Sequence, residues 1–150
     1  MMTVEFIATL AAAVVGGVTA HFISVHLQRG AVLGSAVIAL SGGLVFPAIF
    51  GEIGLQLALA ATTGSYAGMI SRDKCGGLLP MALISLLAGT MFAVSGSVYA
   101  GVGGRLGTMA AISCLGFLGL RHLVVTMMAS PAASKRESRR EYYARRGSTD

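Results

Sequence analysis

Residues 31–50 read AVLGSAVIALSGGLVFPAIF, a stretch without one charged side chain, and the run continues to Ser71 with Glu52 as its only charge. About twenty residues at 1.5 Å each cross the ~30 Å hydrocarbon layer of a bilayer. A helix in water needs a polar face, and nothing between Ala31 and Ser71 can build one. The stretch therefore reads as helix facing lipid.

The rest of the chain follows the same pattern. Of 150 residues, 55% are apolar and 11% charged, against roughly 25% charged in an ordinary soluble domain. Breaking the sequence at Gly, Pro and charge gives apolar segments at about Val4–Val25, Ala31–Phe50, Leu55–Ile70, Leu78–Ala100 and Leu106–Met128. The expected fold is all-α, a polytopic membrane helix bundle over residues 1–129 with about five transmembrane helices. Gln56, Thr62, Thr63, Ser65 and Tyr66 make the short third segment the most polar, so four crossings plus a re-entrant segment is the alternative. The connectors are only a few residues long, which forces neighbouring helices into antiparallel hairpins.

The N-terminal segment ends like a signal-peptide cleavage site at Val18-Thr19-Ala20. It lacks the basic n-region of a signal peptide and carries Glu5 instead, so a retained first helix is expected. Lys and Arg of short loops stay on the cytoplasmic side. With five crossings, Arg29, Arg72, Lys74 and the six basic residues of the tail share one side, and Arg105 alone falls on the other. That split predicts an outside N-terminus and a cytoplasmic C-terminus, in the inner membrane of a prokaryotic cell. Residues 130–150, basic and with little to bury, are expected to be a disordered cytoplasmic tail or a short helix at the membrane surface. Apart from the lipid bilayer, the expected partners are further copies of the chain or other membrane subunits. A nucleic-acid role is not expected, because the basic residues lack a folded scaffold with base-stacking groups.

An offset of 73 residues lays small residues on small residues. Ala12, Gly16, Ala20 and Ser24 fall on Ser85, Gly89, Ala93 and Ser97, and the Gly30–Ser35 segment falls on Gly103–Thr108. This is a weak internal repeat, with halves at about 3–73 and 76–129. Five crossings would make the halves inverted, an arrangement that recurs in secondary transporters. Small residues four apart share a helix face and let two backbones approach. Gly16, Ala20, Gly64, Gly68, Gly89 and Ala93 are therefore the expected packing positions.

Polar groups within the apolar segments need a reason to be there. The hydroxyls of Thr62, Thr63, Ser65 and Tyr66, with the turn carboxylate Glu52, form the candidate substrate path. The bland alternative is that each hydroxyl bonds back to the preceding turn. His21, Arg121 and His122 form a candidate proton or anion site, although Arg121 can also snorkel to the headgroups. Cys75 and Cys114 have no metal-ligand or redox spacing. No nucleophile elbow, phosphate loop, metal-ligand cluster or carboxylate pair is present in the sequence, so neither catalysis nor a cofactor or metal is expected. The expected function is a transporter or channel component for a small solute or ion. The alternative is a non-catalytic structural or assembly subunit of a larger membrane complex.

Overall fold

The computed structural model describes the backbone of residues 2–26, 30–95, 98 and 101–146, and the side chains of these except Met2, Arg72 and residues 129–146. The described elements are all helices: α1 (Met2–His26), α2 (Ala31–Phe50), α3 (Glu52–Ala67), α4 (Arg72–Cys75), α5 (Leu78–Ser95) and α6 (Arg105–Arg146). Thr3–His26, Ala31–Phe50, Leu78–Ser95 and Arg105–Met128 are long and apolar enough to cross a membrane. Among the described residues the chain is thus all-helical with four candidate spans. The fifth expected segment, α3, has 16 residues.

The boundaries of α2 follow from its flanking glycines. Gly30 and Gly51 have φ of 90° and 61°, where a side chain is strained, so the helix starts and stops between them. The α2–α3 turn is tight: Gly51 N–H donates to the Pro47 carbonyl at 3.0 Å, and Gly54 lies directly on the Phe46 carbonyl. Within the expected loop at 71–77, the structure forms the short helix α4, whose Cys75 is buried. The fourth segment was expected to extend to Ala100; α5 is helical to Ser95, and residues 96–97 and 99–100 lie outside the described residues, as does Arg29.

By internal packing the chain divides into residues 1–116 and 117–150. In the first unit α3 is the central helix, packed against α1, α2 and α5. Its inward residues are small, among them Ala60, Ala61, Thr63, Gly64 and Ala67, and all are buried. Large apolar side chains such as Leu40, Leu44, Leu79 and Val94 point outward. That inversion of the soluble pattern suits a lipid surround, because lipid tails give apolar side chains no reason to hide and leave close packing to hold the helices. The order of contacts fixes the directions: Gly89 of α5 meets Ala13 of α1, and Ser85 meets Gly17, so α1 and α5 are antiparallel.

The second unit is helical from Phe117 to Arg146. Leu120 to Met128 are exposed, and Thr126 Oγ1 donates to the His122 carbonyl at 2.9 Å. Where the sequence suggests a disordered tail or short surface helix, the backbone is helical as far as Arg146. Ala, Arg, Lys and Glu, which dominate residues 132–146, are good helix formers.

Candidate functional site

The hydroxyl-rich stretch of α3 folds its polar groups onto its own backbone. Thr62 Oγ1 donates to the Ala58 carbonyl and Thr63 Oγ1 to the Leu59 carbonyl, both at 2.8 Å, and Ser65 Oγ donates to the Thr62 carbonyl at 2.8 Å. All three side chains are buried. A hydroxyl that donates to an i−3 or i−4 carbonyl is satisfied without a solute. Glu52 is exposed in the first turn of α3, where its negative charge complements the helix dipole. Tyr66 behaves differently from the other four, being 37% exposed and turned toward the start of α6.

Tyr66 and Leu59 of α3 form one wall of a cleft of about 330 Å³, and Gly101, Val102, Arg105 and Gly107 form the other. Arg105, expected to be a connector residue, is half-buried here, with its guanidinium carbon 5.3 Å from the centroid of the Phe92 ring. A second cleft, of about 360 Å³, shares Val102 and Arg105 with the first and is lined by Met91, Ser95, Thr108 and Met109 among others. Arg105 borders both.

The depth of Arg105 follows from helix register. Ala13 is near the middle of α1, and Gly89 packs on it, with 2.7 Å between the Ala13 Cβ and the point where a Cβ on Gly89 would sit. Phe92 is three positions further along α5, or about 4.5 Å. The guanidinium stacked on Phe92 therefore sits about one helical turn from the level of the middle of α1. Arg105 is also the first residue of the candidate span Arg105–Met128, and a cation at the edge of an apolar span that packs inward rather than into solvent is a candidate functional position. Sequence reading missed Arg105 because the glycine-rich run before it looks like an ordinary external turn. The available signal was the repeat, which lays Arg105 on Val32, a position inside the apolar run.

His21 is buried in α1, and its Nδ1 lies 3.3 Å from the Gly68 carbonyl oxygen at the end of α3. A carbonyl only accepts, so Nδ1 carries the hydrogen in this contact. Arg121 and His122 belong to the second unit and are exposed. Among the packing positions, Gly16 lies on the Ala61 backbone and Gly64 on the Ala13 carbonyl, and a Cβ on Gly68 would lie 2.6 Å from the Gly17 carbonyl oxygen. Ala20 is buried beside Gly68 and Gly34, while Ala93 is half-buried. Among the described residues, no three His, Cys, Asp or Glu side chains are grouped as metal ligands. The chain shows no match to a known protein family, to a curated protein or to a solved structure.

Proposed function

We propose that the protein is a small transporter or channel component that passes a small solute or ion along the cleft between α3 and the start of α6, without catalysis of its own. The observation that carries this reading is that Tyr66 and Arg105 line the same cleft of about 330 Å³. That volume lies in the range of small-molecule sites, where a few polar groups orient a ligand against apolar walls. Thr62, Thr63 and Ser65 then serve as internal fasteners, and the path moves one helix face over to Tyr66. The antiparallel course of α1 and α5 supports an inverted relation between the two halves, and the distribution of basic residues supports an outside N-terminus in a prokaryotic inner membrane. The subunit reading relied on small-residue faces being open to other chains. Gly16, Gly64 and Gly89 are instead packed against α1 and α3 of the same chain.

The test uses Gly107, which lines the cleft and where an added Cβ meets no atom within 4 Å. Gly107→Leu should fold normally and fill the space. In proteoliposomes loaded with a panel of small anions, cations and neutral solutes, the variant should abolish whichever flux the wild type shows. Wild-type flux in a correctly folded Gly107→Leu protein would remove the cleft from the path.

A further inference from the structure

The second cleft beside Arg105 has a different character from the first. Its apolar lining includes Met91, Met109 and Ile112, of which Met91 and Ile112 are 39% and 52% exposed, so the apolar wall runs out onto the surface that meets lipid tails. Its polar groups are Arg105, Ser95 and Thr108. The two hydroxyls are turned to the backbone, Ser95 Oγ to the Met91 carbonyl at 2.6 Å and Thr108 Oγ1 to the Gly104 carbonyl at 3.1 Å. The guanidinium therefore dominates the charge of the site.

Apolar wall and cationic rim together match one ligand chemistry.

We propose that this cleft is a binding site for an anionic lipid, with the phosphate on the Arg105 guanidinium and an acyl chain lying along Met91, Met109 and Ile112. Arginine suits the task because its planar fork donates to two phosphate oxygens at once, while its face stays on an aromatic ring. The site rests on the geometry around Arg105 and not on the transport reading, so either stands if the other falls.

The experiment measures thermal unfolding of the full-length protein in a neutral detergent while phosphatidylglycerol or phosphatidylcholine of the same chain length is added. Phosphatidylglycerol should raise the melting temperature and phosphatidylcholine should not. Arg105→Gln should move the midpoint of that rise to about tenfold higher lipid, the loss expected for one charge-assisted contact. Gly103→Leu keeps the charge and adds bulk where a Cβ meets no atom within 4 Å, and it should shift the midpoint in the same direction. The basic tail is common to every variant, so its own attraction for acidic lipid cancels. Wild-type midpoints in both variants would assign the effect to the tail and overturn the proposal. Equal stabilisation by inorganic phosphate alone would overturn the lipid assignment in favour of a free anion.

Discussion

The Arg105 guanidinium and the Phe92 ring lie 5.3 Å apart, and this pair joins the start of α6 to α5. A cation over an aromatic face is attracted by the ring quadrupole, more strongly when both are shielded from water. Phe92 is 5% exposed, so the contact is shielded on the ring side. The same ring belongs to the apolar cluster of Ala13, Ala60 and Met109, which ties the placement of the charge to the packing of the core.

Phe92→Leu keeps an apolar side chain and removes the quadrupole. It should destabilise the protein by about 1–3 kcal/mol, from lost cation–π attraction and imperfect refilling of the ring's space. In an Arg105→Gln background the same substitution should be milder by about 0.5–2 kcal/mol. Detergent unfolding of the four proteins of this cycle measures the difference, and strict additivity would show that the stacking has no energetic weight.

The glycines of the bundle should divide sharply. Gly64→Ala places a methyl group on the Ala13 carbonyl and should cost more than about 2 kcal/mol, because the backbones of α1 and α3 must separate. At Gly43, also inside a helix, an added Cβ meets nothing within 4 Å. Gly43→Ala should therefore stabilise by about 0.5–1 kcal/mol through the unfolded chain and helix propensity. Unfolding midpoints of the two variants, moving in opposite directions, are the expected result.

Ser85 and Ser113 are both fully buried, yet only one has a hydrogen-bond partner among the described residues. Ser113 Oγ donates to the Met109 carbonyl at 2.8 Å, whereas Ser85 Oγ has none and presses against Gly17. A buried polar atom left unpaired costs about 1–3 kcal/mol. Ser85→Ala should raise stability by about 1 kcal/mol and Ser113→Ala should leave it unchanged or lower it. Equal effects at the two positions would contradict this difference in bonding.

Thr63→Val replaces a hydroxyl that bonds within its own helix by a methyl of similar size. Flux through the protein should stay within about twofold of wild type, since the lost bond has a net value near 1 kcal/mol and acts on folding rather than on the solute. Loss of flux in a stably folded Thr63→Val protein would return the path to the hydroxyl stretch of α3.

Much of the architecture was legible in the sequence because a bilayer imposes it residue by residue. Ala31–Phe50 was readable to the residue, since an uncharged run lies between two glycines whose backbone no other residue adopts comfortably. The stripes of small residues drew attention to helix faces. They did not announce the pairing: Gly16 lies on Ala61, Gly64 on Ala13 and Gly89 on Ala13, and only the three-dimensional order of α1, α3 and α5 determines this. The candidate site was less legible. Thr62, Thr63 and Ser65 attract attention by their polarity, but a helix satisfies such groups locally, and their sequence alone does not distinguish a lining from a fastening. Arg105 was obscured for the opposite reason. Its depth depends on where Phe92 and Tyr66 stand, and both are remote in sequence.

The nearness of α1 to α3 also sets how the protein can vary over generations. Where the Ala13 carbonyl rests on Gly64 and the Ala61 backbone on Gly16, a single added methyl has nowhere to go, so neither position can drift without a matching change across the contact. On the outer side of α2, Val37, Leu40 and Leu44 face acyl chains that accept any apolar shape. Inherited substitutions should accumulate on the lipid side and leave the glycine ladder inside fixed, the reverse of a soluble protein whose large core residues are the slowest to change.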